Sequence, residues 1–463
     1  MKQLSRPCQL LLFSMLLNII LPVCSIGVNY GTTADNLPSP KEVAQFLKKS
    51  TIIDRVKIFD MNSEIMKAFA NTGIYVTITV PNGDIPSLTD SSKAEKWVQE
   101  KIKPYYPDTK IRYIAVGNEL LHWGTRDQID NLVPAMKKLH GALDKAGMSD
   151  VKVTTPHSLG ILVSSDPPSS GAFRTGWDVG ILKPMLKFLQ ETQSGFMVNP
   201  YPYFGYSPGN DSFSLFRPNP GFVDPKTGKK YNNMFDGLMD AVYSAMKKLG
   251  YADVPIIVGE TGWPSLGEPW LTWVNVANAK TYNEAMIKKS TSKEGTPLMP
   301  GKSFEIYIFA LFNENQKPGS LAERNFGLFQ PDFMEVYDIG VRNGTESHGP
   351  GTSPSEGSGS SRSSSGDSDK SSGESESKSA DKTPYGHNGS PERVSDVVAA
   401  VVLVVAAFFM FIGKEGDDND ESIVDENEAS ELGYEDEDRF SDGQRVRTRA
   451  PALLMIFDDS TRV

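Results

Sequence analysis

Two glutamates close apolar runs that lie 141 residues apart. In "IRYIAVGNE" (111–119) the run ends on Gly117, Asn118 and Glu119. In "VPIIVGETGW" (254–263) it ends on Gly259, Glu260 and Thr261. A buried strand ordinarily ends in a turn residue, and a carboxylate at that point must find water, a cation or a reacting atom. If both runs are strands of one barrel, both carboxyls face the same cleft. One can then protonate a leaving oxygen while the other attacks an anomeric carbon, which is the division of labour in glycoside hydrolysis. The bland reading is that each glutamate is an ion-pair partner at a strand end, and residue pattern alone leaves the two readings level. His122, His140 and His157 have no metal-ligand spacing and are read as surface or packing residues.

The elements that would position the pair follow from hydrophobic pattern. Besides the two runs above, β-branched or apolar stretches occur at "IGVNYG" (26–31), "DRVKIFD" (54–60), "IYVTITVP" (74–81), "VKVTTP" (151–156), "FMVNPYPY" (196–203) and "FEIYIFALFNE" (304–314). Helical stretches lie between them. One starts at Ser39 and carries Val43, Phe46 and Leu47. Another carries Ile129, Leu132, Met136, Leu139 and Leu143 at helical spacing, with Pro134 blurring its boundary. A third, "FDGLMDAVYSAMKKLG", runs into Lys247, Lys248 and Gly250, a stop signal. Eight strands alternating with helices in roughly 315 residues predict an α/β fold, a (β/α)8 TIM barrel. An open doubly wound sheet competes, but its nucleotide-binding form lacks a G-x-G-x-x-G after the first strand.

The chain has 463 residues with 39% hydrophobic content, enough for a large core, but its composition is uneven. Residues 1–25 place Lys2 and Arg6 before "LLLFSMLLNIILPV" and end in small residues, the pattern of a cleaved secretory signal; a retained anchor is the competing reading. The two cysteines, Cys8 and Cys24, both lie there, so the mature chain is expected to have no disulfide, thiol ligand or cysteine nucleophile. Residues 26–345 have ordinary globular composition. Residues 346–396 form a Ser/Gly-rich linker expected to be disordered, containing "GTSPSEGSGSSRSSSGDSDKSSGESESKSADK". Residues 397–413, "VVAAVVLVVAAFFMFIG", are uncharged and apolar. Residues 414–463 hold 16 Asp/Glu against 6 Lys/Arg, a net −10 out of −11 for the whole chain. The acidity therefore belongs to the tail, which is expected to be disordered. The rest has no basic excess for nucleic acid.

The segments "IGVNYG", "VPNGDI", "YIAVGNE", "VNPYPYF", "GETGWPS", "YIFALFNENQKPG" and "NFGLFQP" occur here in that order. Together they closely resemble the plant family 17 glycoside hydrolases, the endo-1,3-β-glucanases, over about residues 26–340. The resemblance implies a barrel, retention of anomeric configuration, and no metal or organic cofactor. The substrate it implies is β-1,3-glucan, cut internally. By motif, Glu119 would be the general acid/base and Glu260 the nucleophile. Glu314 and Lys317 would be an auxiliary acidic–basic pair near it, and Asn118 a ligand of the sugar 2-hydroxyl. Tyr30, Tyr201, Tyr203 and Phe326 would be aromatic positions along the cleft, with core packing the competing reading for each. Asn29 stands where many relatives have Cys, and Asn313 where many have Asp. The cysteine-rich carbohydrate-binding module of some anchored relatives is missing.

At 1.5 Å per residue, 397–413 spans roughly 25 Å as a helix, slightly short of a ~30 Å hydrocarbon core. It is read as a single-pass membrane anchor with the enzyme outside at the plasma membrane or cell wall and the acidic tail in the cytosol. A lipid-anchor signal, with Asn388, Gly389 and Ser390 as its small residues, is the alternative, but such a signal normally ends at its hydrophobic tail. Sequons at Asn210, Asn343 and Asn388 precede the segment. A monomer is expected. The competing functions are a catalytically weak β-glucan-binding protein or a transglycosylating membrane protein of the same fold, and a receptor or scaffold whose output is the tail.

Overall fold

A computed structural model describes residues 26–343. The expected signal (1–25), linker (346–396), apolar segment (397–413) and acidic tail (414–463) lie outside the described residues. Among the described residues, no helix is long and apolar enough to cross a membrane.

Nine strands form one parallel sheet: β1 (Ile26–Asn29), β2 (Ile53–Lys57), β3 (Tyr75–Val80), β4 (Lys110–Val116), β5 (Lys152–Thr154), β6 (Pro156–Ser158), β7 (Phe196–Asn199), β8 (Ile256–Thr261) and β9 (Glu305–Ile308). Their order is β5-β4-β3-β2-β1-β9-β8-β7-β6. The two ends of the sheet, β5 and β6, are separated in sequence by Thr155 alone, so the sheet curls into a nearly closed barrel. The single strand expected at 151–156 is thus two short ones. Lys152–Thr154 pairs with β4, and Pro156–Ser158 pairs with β7. The change of partner falls at Pro156, which has no N–H to continue a ladder. Counted as one broken strand, β5 and β6 complete the eight expected of a (β/α)8 fold.

The helices between the strands are α1 (Pro40–Ser50), α2 (Ser63–Ala68), α3 (Ser91–Lys101), α4 (Arg126–Lys145), α5 (Lys183–Glu191), α6 (Met234–Lys248) and α7 (Val276–Thr291). Local chemistry sets their ends. Ser39 caps α1 in a reciprocal box with Glu42, and Pro40 occupies the first turn. Helix α6 stops in a Schellman arrangement: Gly250, at φ +92°, donates to Lys247 and Tyr251 donates to Met246. Helix α4 runs through Pro134 without ending.

Strand parity sorts the core. Val28, Val56, Ile78, Ile114, Val198, Val258 and Ile306 lie in one continuous apolar layer with the buried faces of the helices. Tyr113, Met197, Ile257 and Tyr307 form a separate cluster inside the barrel. Glu305 accepts there from Arg55 at 2.9 Å, Arg112 at 3.1 Å and Tyr307 at 3.0 Å, so charge inside the barrel is paired. A Cβ on Gly27 would lie 2.7 Å from the Tyr307 ring, so this close approach needs glycine. The sequon residue Asn210 is 7% exposed, and its amide nitrogen donates to the Gly205 carbonyl, turned inward rather than presented for a glycan.

Candidate active site

Glu119 follows β4 and Glu260 sits near the end of β8, both at the C-terminal edge of the sheet. Glu119 reaches its place through an unusual backbone. Gly117 has φ +76°, and Glu119 itself is left-handed at φ 49°, ψ 39°, a conformation that a non-glycine residue adopts only when its surroundings impose it. Asn82 supplies part of that imposition. Its side chain accepts from the Asn118 N–H at 2.8 Å and donates to the Asn118 carbonyl at 3.3 Å. The Glu119 N–H then donates to the Pro156 carbonyl at 3.0 Å, tying the strand end across to β6.

Glu260 is aimed by a different device. The ladder between β8 and β9 shifts register between Val258 and Thr261. The bulge lets Thr261 bond outward to Tyr282 of α7 while the neighbouring Glu260 meets the inward Lys57.

The two carboxyls have contrasting surroundings. Glu260 Oε1 pairs with the Lys57 ammonium at 2.9 Å, and Oε2 accepts from the Tyr201 hydroxyl at 3.1 Å. Lys57 is wholly buried, with its Nζ also 4.1 Å from the Phe59 ring centre. Glu119 Oε1 accepts from Asn199 Nδ2 at 2.8 Å and Oε2 from the Trp123 indole N–H at 3.3 Å. Burial and the negative charge of Glu260 push the Glu119 carboxyl up to about 7, against the pull of those two hydrogen bonds and of Lys57. One carboxyl is therefore a proton donor near neutral pH, and the other is held beside a fixed cation. Tyr201 is driven well up by burial and by both carboxylates, so it remains a phenol that donates.

The remaining expected residues divide. Asn118 is half-buried beside Glu119, and its Oδ1 is buried with no hydrogen-bond partner among the described residues. Phe326, 3% exposed, packs edge-on to Tyr201, Tyr203 and Phe309 and so props the phenol. Tyr30 is not brought to the cleft. It is 2% exposed, shares the parity of Ile26 and Val28, and packs edge-on to Phe312 in the outer layer. Glu314, 4% exposed, accepts from the Thr33 N–H at 2.8 Å. Its carboxylate lies so close over Gly31 that a Cβ there would overlap it. Lys317 ion-pairs with Glu323 at 3.2 Å rather than with Glu314, and its Nζ lies 4.1 Å from the Phe309 ring centre.

Lys57, Asn82, Asn199 and Trp123 escaped the reading of the sequence. For Lys57 a signal was there: "RVKIF" alternates cations with apolar residues in a strand that a barrel buries on both faces, so Lys57 needed an internal anion. Among the described residues no group of acidic, histidine or cysteine side chains could hold a metal ion.

The sequence profile of the glycosyl hydrolases family 17 matches residues 26–341. A glucan endo-1,3-beta-glucosidase of Triticum aestivum is 50% identical over 325 residues, covering 69% of this chain and 70% of that protein. Glucan endo-1,3-beta-glucosidase 11 of Arabidopsis thaliana is 46% identical over 345 residues, 72% of this chain and 80% of the relative. Among solved structures, a beta-1,3-glucanase and allergen of Cryptomeria japonica pollen superposes with a TM-score of 0.64 at 42% identity, covering 68% of this chain and 98% of that one.

Proposed function

The chain belongs to the glycosyl hydrolases of family 17, and on that premise we propose that it hydrolyses internal 1,3-β-D-glucosidic linkages of a cell-wall β-glucan by a retaining double displacement. The observation that carries the reading is the contrast between the two carboxyls: Glu119 protonated up to about pH 7, Glu260 ion-paired to a buried lysine. The names of the relatives supply the linkage.

In the first step Glu260 attacks the anomeric carbon while Glu119 gives its proton to the departing oxygen. The negative charge of Glu260 is thereby lost into an ester, and with it one of the two causes that raise Glu119. Glu119, now a carboxylate with reduced basicity pressure from its neighbour, takes a proton from water, which attacks the same carbon and frees Glu260. The acid and base roles thus belong to one residue because the nucleophile's charge comes and goes beside it. Asn118, half-buried next to the acid, offers its side-chain amide to a hydroxyl of the bound sugar, and the Tyr201 hydroxyl orients Glu260. We infer in addition that residues 1–25 direct the barrel into the secretory pathway and that 397–413 holds it at a membrane facing the wall; composition supports both.

The deciding experiment compares linear 1,3-β-glucan with mixed-linkage and 1,4-linked glucans and follows the anomeric configuration of the first product. Internal cleavage confined to substrates with 1,3 linkages, with a β product, is expected. Glu260→Ala should lose this turnover, and azide should restore cleavage of an activated glycoside with inverted product. Near-parent hydrolysis of 1,3-β-glucan by correctly folded Glu260→Ala would overturn the assignment.

A further inference from the structure

We propose that Asn29 is a positioning residue for the nucleophile: its side-chain amide holds the peptide between Gly259 and Glu260, and through it the direction in which Glu260 meets the anomeric carbon. The proposal rests on the reading of Glu260 as the nucleophile.

The need for such a hold follows from the bulge in β8. Pairing of β8 with β7 ends at Val258, and pairing with β9 passes from Val258–Ile306 directly to Thr261–Ile308. Gly259 and Glu260 lie in the stretch where regular pairing lapses. The bulge is what aims Glu260, but it also loosens the backbone that carries the carboxylate. Glycine at 259 adds to that freedom. A nucleophile misplaced by about 1 Å loses on the order of 10²-fold in rate, so the lapse must be compensated.

Asn29 supplies the compensation. It ends β1, is wholly buried, and alternates with Val28 of the outer layer, so its side chain turns into the barrel. Its Nδ2 donates to the Gly259 carbonyl at 3.0 Å, across 230 residues of sequence. The peptide joining Gly259 to Glu260 is planar, so a fixed carbonyl also fixes the nitrogen that carries the Glu260 Cα. Gly259 is confined from β7 as well: a Cβ there would lie 2.7 Å from Met197 Cγ and 2.9 Å from Asn199 Oδ1. Asn29 is itself anchored, since its carbonyl accepts from the Leu311 N–H at 2.8 Å. Its register partner on β2 is Lys57, which pairs with Glu260 Oε1 at 2.9 Å. Two residues level with each other on adjacent strands therefore hold the nucleophile at both ends, Lys57 by the carboxylate and Asn29 by the backbone. An apolar side chain at 29 would fill space but take this donor from the Gly259 carbonyl.

The test measures attack by Glu260 directly. The full chain is given 2,4-dinitrophenyl 2-deoxy-2-fluoro-β-laminaribioside. A Glu260 oxygen bonds to the anomeric carbon, the bond to the aryl oxygen breaks, and its electron pair leaves on dinitrophenolate, which needs no proton from Glu119. The fluorine slows the later attack of water, so the ester accumulates and is located by peptide mass spectrometry. The first-order rate constant at saturating reagent reports the attack, and the final amount of label reports the number of intact sites. A variant that merely folds poorly therefore loses label without a change in rate constant. Asn29→Ala should lower the rate constant about 10–100-fold. Asn29→Cys keeps a weak donor at close to the parent volume and should fall less far than Asn29→Ala. An unchanged rate constant in Asn29→Ala overturns the proposal, as does a fall in Asn29→Cys equal to that in Asn29→Ala, which would assign the loss to something other than the hydrogen bond. A parent labelled on a residue other than Glu260 overturns the reading of the nucleophile itself, and the role of Asn29 with it.

Discussion

Glu119→Gln tests the electrostatic assignment through stability as well as activity. Burial and Glu260 raise the Glu119 carboxyl from an ordinary 4.5 to about 7. Below pH 4.5 the group is protonated in folded and unfolded chains alike, and folding is indifferent to it. Between 4.5 and 7 the unfolded chain releases a proton that the folded chain retains, so stability falls as pH rises. Above about 7 both forms are ionised and the full penalty is present. A shift of this size corresponds to about 3 kcal/mol at 1.36 kcal/mol per pH unit, an upper figure because the group is partly exposed. Glutamine has the same shape but cannot ionise. It also turns an NH2 toward Asn199 or Trp123, which both donate here, and that clash adds a constant offset at every pH. The informative quantity is therefore the change with pH. Urea unfolding of parent and variant at pH 4, 5, 6, 7 and 8 should show the difference moving in favour of Glu119→Gln by up to about 3 kcal/mol, mostly between pH 5 and 7. Parent kcat/KM on glucan should decline with rising pH near 7, as the acid loses its proton. Stability curves that run parallel across the whole range would refute the raised pKa, and with it the electrostatic account of the acid.

Three other outcomes are expected. Lys57→Met removes the buried cation beside Glu260 and should lower kcat/KM on 1,3-β-glucan by about 10²–10³-fold, the scale of losing one preorganised electrostatic partner, checked by steady-state kinetics. Asn82→Ala frees the backbone that aims Glu119 and should cost about 10²-fold on glucan but much less on a substrate with a good leaving group, because only the former needs the proton; equal losses on both would place Asn82 outside the acid's support. Glu305→Leu strands the buried Arg55 at the other end of the barrel and should destabilise by about 3–5 kcal/mol in urea unfolding while KM for glucan stays unchanged.

Most of the architecture was legible because a parallel barrel writes itself into sequence twice, as apolar runs of strand length and as helical periodicity between them. All eight expected runs contain strands, and the helices beginning at Ser39 and ending at Gly250 have the caps their residues announce. The break of the fifth run at Thr155 was not legible, since it depends on which neighbour each half pairs with. The candidate site divides in the same way. The strand-terminal carboxylates stand out locally because each follows a buried run, and the motifs carried Asn118 and Tyr201 with them.

What sequence alone determined was thus the repeating strand–helix order and the chemical identity of the two carboxyls, because patterning and residue type are local properties. Tertiary structure decided their inequality. Lys57, 203 residues from Glu260 in sequence, reaches it only when β2 and β8 point into the same barrel. Asn199, 80 residues from Glu119, reaches its Oε1 only when β7 lies across the sheet. The same closure sent Tyr30 outward by strand parity and gave Lys317 to Glu323. Desolvation and Coulomb interactions depend on distance through space, and chain order does not encode that distance until the barrel closes.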